Sequence, residues 1–457
     1  GGLMADATDG DIGAVEMILA SAICGTIFAL FAGQPLIILG GTGPLLVFTG
    51  ILWQGCQDLE IAFLPAYAWV GFWTAAITIA LAVTDASFLM RYFTRFTDEI
   101  FAALISIIFI VGAITALTEV FENLDRDKHH DVALLSVLLA LGTFYIANSL
   151  ARFRKSRYLL PWMREFLADF GPTIAIAAMA LMAVWLHEVD LKILNVPDSF
   201  GTTSGRDWIV DPFEAEMWVR FAAIGPAILA AVLVFLDQNI TARLVNSPDH
   251  KLHKGEAYHL DLAVVGGLIG FCSLFGLPWL VAATVRSLNH VRSLAVMEES
   301  IGGDGERHDR ILHTQENRVT GLAIHLMIGL SLCLLSVLKV IPMAVLYGLF
   351  LFMGVVSMKG NQLCERLSLW AMDSQLYPTT HYIRRVPNKV IHRFTALQLA
   401  GLVVLWVVKV SPIKILFPLF IAFLIPLRFL ANRWFEPEHL KALDADEIPE
   451  EEATAWH

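Results

Sequence analysis

The sequence predicts an all-α polytopic membrane protein, and three observations carry that prediction. Of 457 residues, 56% are hydrophobic and only 16% charged, with a mean hydropathy of +0.64. Apolar runs near the ~20 residues that a bilayer crossing requires recur along the whole chain. Lys and Arg gather in alternate loops, the pattern that orients membrane helices. A water-soluble fold of this length carries about 25% charged residues, because water must solvate its outside. Soluble enzymes, nucleic-acid binders and secreted disulfide scaffolds are therefore set aside. The formal charge of −11 also lacks the basic excess that a nucleic-acid partner requires.

Spans are expected near 13–33, 66–90, 98–118, 131–151, 166–187, 217–241, 259–275, 317–338, 342–358, 391–409 and 412–431. Alternate loops then place 23 of the 32 basic residues on one side, which the charge rule makes cytoplasmic. That side also holds an acidic C-terminal tail around Asp444–Glu452, expected to be disordered, while 188–216 forms a large outer loop. The five cysteines show no CxxC or metal-ligand spacing and read as small core residues.

Two apolar stretches, 35–50 and 278–294, are too polar, Gly-rich or short to be ordinary spans, and they resemble each other. The first follows Gly33-Gln34-Pro35 and reaches Gly40, Gly41, Thr42 and Gly43. The second follows Gly276-Leu277-Pro278 and reaches Ala282, Ala283, Thr284 and Arg286. They lie on opposite sides of the predicted topology, as in inverted-repeat secondary transporters, where two half-helices point their N-termini at a substrate near the midplane. Freed amides and the helix dipole make such ends anion sites.

The ionisable residues that cost most in an apolar span mark the candidate site. Asp237, in Leu-Val-Phe-Leu-Asp-Gln-Asn-Ile-Thr, reads as a coupling-ion or substrate ligand. Thr241 shares its helix face and adds a hydroxyl. Arg286, read here as closing the second half-helix, has the planar fork suited to an oxyanion. Sharing one cavity, Asp237 and Arg286 would offset each other's desolvation. Thr42, Thr284, Gly43 and Ala283 offer hydroxyls and closely approachable backbone. Glu16 and Asp85 read as capping or interfacial groups, and His259 with Asp261 as a hydrogen-bonding pair. No HExxH or G-x-S-x-G motif occurs, so a metalloenzyme or serine hydrolase is not expected.

Several longer strings resemble the bicarbonate transporter family, which comprises chloride/bicarbonate exchangers, sodium–bicarbonate cotransporters and borate transporters. They are Asp237-Gln-Asn-Ile-Thr-Ala, His250 to Leu262, Gly276 to His290, Phe31 to Leu39 with Thr42 to Phe48, Ile341 to Gly354 and Val403 to Lys409. The resemblance implies a seven-plus-seven inverted repeat, with most of the first segment absent here. It implies a core (transport) domain from 1–118 and 217–338, a gate (dimerisation) domain from 119–216 and 339–435, and a cytoplasmic tail at 436–457. It further implies homodimers, elevator-like alternating access, a plasma-membrane or inner-membrane location and no cofactor.

The expected activity is secondary transport of bicarbonate or carbonate. Arg286, Thr42, Thr284, Gly43 and Ala283 are expected to bind the anion, and Asp237 with Thr241 to form a coupling-ion or proton site. Asp237 matches the sodium-coupled branch, favouring Na+ as a coupling ion at Asp237. Arg286 matches the chloride exchangers. Borate export and a non-transporting membrane scaffold or receptor are the alternatives.

Overall fold

A computed structural model describes residues 1–122, 130–156, 158–197, 200–301, 307–378 and 380–445. Its longer helices are α1 (Ala14–Phe31), α2 (Gly43–Asp58), α3 (Phe63–Val83), α4 (Arg95–Glu122), α5 (His130–Arg152) and α6 (Gly171–Trp185). They continue with α7 (Ile224–Val245), α8 (Tyr258–Leu274), α9 (Thr284–Leu294), α10 (Val319–Leu330), α11 (Met343–Met358) and α12 (Asn388–Val410). Among the described residues, eight helical stretches are long and apolar enough to cross a bilayer. Two bent pairs, Pro161–Asp169 with α6 (62°) and α11 with Gln362–Ser368 (80°), raise the number to ten. The span expected at 259–275 is α8, an apolar helix of 17 residues. The span expected at 66–90 ends at Val83, before a 3-10 segment.

Among the described residues, four short strands interrupt the helical pattern: β1 (Leu39–Gly40), β2 (Val281–Ala282), β3 (Ala295–Ile301) and β4 (Arg307–Thr314). β3 and β4 form an antiparallel hairpin between α9 and α10. β1 pairs with β2 although some 240 residues separate them, with Leu39 opposite Ala282 and Gly40 opposite Val281.

The chain divides into two compact units, one of Gly1–Met90 with Leu194–Lys339, the other of Arg91–Ile193 with Val340–His457. In the first, α3 packs on α8 and α1 packs on α10. The helix before each short strand thus contacts the helix beyond the opposite half-helix, the exchange expected of interleaved inverted repeats. Cys24 of α1 and Cys272 of α8 are buried with sulfurs 3.3 Å apart. Cys56 is buried too, but Cys333 is exposed, contrary to a uniform core role.

In the second unit α4 and α5 pack on α11, α5 on α6, and α12 on α4. The unit's polar centre is a fully buried guanidinium, Arg366. It donates to Glu99 and to Gln398 Oε1 (2.8 Å) and Gln362 Oε1 (3.1 Å), with the Tyr382 and Phe394 rings beside it. Both terminal nitrogens are thus bonded while Nε has no partner, and pairing of this kind offsets the cost of taking a charge out of water.

The units are cut at different points from the sequence reading. α4, grouped there with 1–118, belongs to the second unit because its apolar face packs on α11 and α12. Residues 194–216, grouped there with 119–216, belong to the first because α1 and α8 hold them. Part of the tail is ordered: Pro437–Asp444 is helical, Asp444 pairs with Arg428, and its Oδ1 accepts from Phe96 N at 3.2 Å. Residues 446–457 of the expected tail lie outside the described residues.

Candidate anion site at two half-helix N-termini

Both predicted half-helices begin later than expected. Residues 35–36 form a turn, 37–42 and 278–283 run non-helically through the two short strands, and helix starts only at Gly43 and Thr284, so α2 runs to Asp58. The local chemistry accounts for the delay. Pro35 and Pro278 deny the backbone an N–H donor, and β-branched Ile37 and Ile38 favour extended geometry. Helix then becomes favourable where Pro44 occupies its first turn. The shift relocates Arg286, which lies in the first turn of α9 rather than at its end.

The two extended lead-ins are bonded to each other by backbone. Ala283 N–H donates to Ile38 O at 2.9 Å, extending the β1–β2 ladder by one bond. Ile38 N–H donates to Ser287 Oγ (3.0 Å), and that hydroxyl donates back to Ala283 O (2.9 Å). Ser287, one turn into α9, thereby continues the ladder with a side chain.

One face of α7 holds both ends. Asp237, Gln238 and Thr241 share that face by the i, i+1, i+4 spacing. Thr42 Oγ1 donates to Asp237 Oδ2 at 2.7 Å. Gln238 Oε1 accepts from Ala282 N at 2.9 Å. Thr241 Oγ1 lies 2.7 Å from Thr284 Oγ1 and donates to Ala282 O at 3.3 Å. Asp237 is 4% exposed and Thr241 1%. Gly43 and Ala283 are buried at the two helix starts, Gly43 as first residue and Ala283 as N-cap.

Asp237 and Arg286 form no ion pair, contrary to the mutual neutralisation expected from sequence. The carboxylate is taken by Thr42. The guanidinium lies against the backbone of Gly40, where an added Cβ would sit 2.9 Å from Nη1 and 3.3 Å from Ala283 Cβ. Arg286 is exposed, and among the described residues no hydrogen-bond or ion-pair partner takes its guanidinium. A forked cation beside two helix N-termini is chemically suited to a small planar oxyanion. Asp237 Oδ2 with Thr42 Oγ1, and Thr241 Oγ1 with Thr284 Oγ1 and Ala282 O, are hard oxygens of the kind a small cation takes. Among the described residues there is no cluster of three or more His, Cys, Asp or Glu.

Sequence reasoning missed Gln238 and Ser287, which position the ends without facing one another in sequence. A polar triplet, Asp237-Gln238-Asn239, inside an apolar span was the available signal for the first. It also mispaired His259. His259 Nε2 contacts Asp85 Oδ1 at 2.6 Å, whereas Asp261 Oδ1 accepts from Gly33 N and Gln34 N. Glu16 does cap α1, accepting from Gly13 N at 2.9 Å.

Crossed, broken segments within a helical membrane unit define an inverted-repeat membrane protein, and comparison with known proteins gives the family. The sequence matches the HCO3- transporter integral membrane domain over residues 1–129 and 122–448; the chain belongs to the bicarbonate transporter family. It is 39% identical over 518 residues to human sodium bicarbonate cotransporter 3, covering 98% of this chain and 42% of that protein. It is 38% identical over 478 residues to zebrafish (Danio rerio) anion exchange protein 3, covering 98% and 41%. The chain thus spans less than half the length of these relatives. The transmembrane domain of the cyanobacterial bicarbonate transporter BicA shares the fold, with a TM-score of 0.59 at 16% identity, over 88% of this chain and 91% of that one. The relatives are transporters and exchangers rather than enzymes.

Proposed function

We propose that the chain carries bicarbonate or carbonate across a plasma or bacterial inner membrane as a secondary transporter. The anion binds between the N-termini of α2 and α9, held by Arg286, the hydroxyls of Thr42 and Thr284, and the backbone at Gly43 and Ala283. Asp237 and Thr241 form the adjacent cation or proton site. The observation that carries this reading is the unpaired Arg286 guanidinium beside the crossed lead-ins. The first unit is the transport domain of an elevator-type cycle and the second the gate that dimerises, with the C-terminus cytoplasmic.

Na+ is the favoured coupling ion, because a buried carboxylate among hydroxyl and carbonyl oxygens suits it. Chloride exchange is the second reading, favoured by Arg286, whose fixed charge supplies what Na+ would otherwise bring. Purified protein in liposomes, followed by bicarbonate-driven internal pH recovery with Na+ and Cl− removed in turn, tests both. Loss of flux without Na+ supports cotransport, and loss without Cl− supports exchange. No flux under any condition, with boric acid included, leaves a scaffold or receptor.

A further inference from the structure

Each lead-in is gripped at its start by a charged side chain remote from the crossing. Asp261 Oδ1 accepts from Gly33 N at 2.6 Å and from Gln34 N at 3.2 Å. Gln34 is further tied through Nε2 to Asn246 Oδ1 at 2.6 Å. At the second lead-in, Arg206 Nη2 donates to Gly276 O at 2.8 Å and Phe275 O at 3.4 Å. A carboxylate thus holds the amides of one Gly-x-Pro segment, and a guanidinium holds the carbonyls of the other.

Both grips lie at the ends of α8. Asp261 is in its first turn, where a carboxylate complements the helix dipole. Arg206 binds the turn that leaves its last residue, and Val210 N donates to Leu274 O at 2.9 Å. These donors satisfy carbonyls that a helix C-terminus leaves open. Gly276 has φ of +58°, and a Cβ there would sit 2.5 Å from Arg206 Nη2. Glycine therefore both adopts the turn and admits the guanidinium. The loop carrying Arg206 is itself held at α1: fully buried Glu16 accepts from Thr203 N at 2.7 Å and from Thr203 Oγ1 at 2.6 Å.

The geometry points to Asp261 and Arg206 as a pair of positioning residues for the transported anion, acting through opposite ends of α8. They set how far each lead-in reaches inward, and hence how Thr42 and Arg286 are spaced around the anion. This rests on the transport reading above. Neither side chain contacts the crossing, so each acts only through the backbone that it holds.

The full chain in liposomes tests this with Asp261→Ala, Asp261→Asn, Arg206→Ala and Arg206→Lys. Amide hydrogen exchange is followed over 33–42 and 276–283, and bicarbonate flux over a range of concentrations. Asp261→Ala is expected to speed exchange in 33–42 and raise the half-saturating bicarbonate concentration about tenfold, the loss of one to two hydrogen bonds, at near-constant maximal flux. Asp261→Asn keeps an oxygen for both amides and is expected to return half-saturation to within about threefold. Arg206→Ala is expected to act likewise through 276–283, with Arg206→Lys intermediate. Faster lead-in exchange with unchanged half-saturation overturns the inference, as does an Asn variant as impaired as Ala. Absence of flux from the unmodified protein instead overturns the transport reading, and this role with it.

Discussion

Thr42 donates its hydroxyl to Asp237 across 2.7 Å, so the N-cap residue of α2 is bound to another helix rather than to its own first turn. An N-cap threonine ordinarily accepts from the second or third amide of its helix. The Thr42 hydroxyl oxygen makes no such cap bond here, so the first-turn amides of α2 stay free for a ligand, and the Asp237 carboxylate is fixed in orientation. Asp237→Asn keeps an oxygen for Thr42 and removes the charge. Its expected outcome is a folded protein whose bicarbonate flux no longer depends on Na+, read from pH recovery at graded Na+. Flux that keeps its full Na+ dependence would remove Asp237 from the coupling site.

Arg286 supplies a fork rather than a point charge. Arg286→Ala is expected to weaken anion binding by about 2 kcal/mol, some thirtyfold, as for a lost charged hydrogen-bond donor. Arg286→Lys restores charge but not two-point contact and should recover only part of the loss. Bicarbonate-dependent thermal stabilisation of the purified protein measures both without requiring turnover.

Gly40 is where side-chain volume meets function. Gly40→Ala places a Cβ 2.9 Å from Arg286 Nη1 and should displace the guanidinium, raising half-saturating bicarbonate with little change in melting temperature. Gly112, inside α4, has no atom within 4 Å of an added Cβ. Gly112→Ala should therefore stabilise by about 0.5–1 kcal/mol, the usual gain in a helix interior. Thermal melts beside flux curves separate the two outcomes.

Ser287→Ala deletes the acceptor for Ile38 N and leaves a buried amide unsatisfied, at a cost of about 1–3 kcal/mol. The damage should appear as faster hydrogen exchange at Ile38 and its neighbours. Exchange that remains at the native rate would show that the clip contributes nothing.

The second unit offers a prediction independent of transport. Glu99→Ala strands the buried Arg366 guanidinium and should cost about 3–5 kcal/mol, whereas replacing both partners by apolar residues of similar volume should cost far less. Chemical denaturation of the single and double variants in detergent gives the comparison.

Much of this architecture is legible in the chain because bilayer helices must be apolar and long. The mirrored Gly-x-Pro segments, Asp237 and Arg286 stand out because glycines, prolines and charges are costly in such surroundings. What stayed hidden depended on partners far away in sequence. Residues 35–42 look helical until β2 is known to lie beside them, since pairing across 240 residues leaves no local periodicity. His259 was matched with its neighbour Asp261 by proximity, yet on one helix two positions apart they face different ways, and each found a partner on another segment. The compact units divide elsewhere than the expected domains for the same reason: the middle of α4 is apolar throughout, and only packing reveals which neighbours it joins.

The crossing of β1 and β2 is made by main-chain groups. Its donors and acceptors are the same whatever side chains occupy Ile38 to Gly40 and Val281 to Ala283, provided each donor keeps its hydrogen. Proline at Ala283 would remove its bond to Ile38 O, whereas proline at Ile38 or Ala282 would remove only the side-chain clips from Ser287 and Gln238. The frame that brings two helix ends together is thus chemically separable from the groups proposed to meet the anion. On the transport reading proposed above, Thr42, Thr284 and Arg286 are fittings on a fixed bracket, and a different cargo would need new fittings rather than a new bracket.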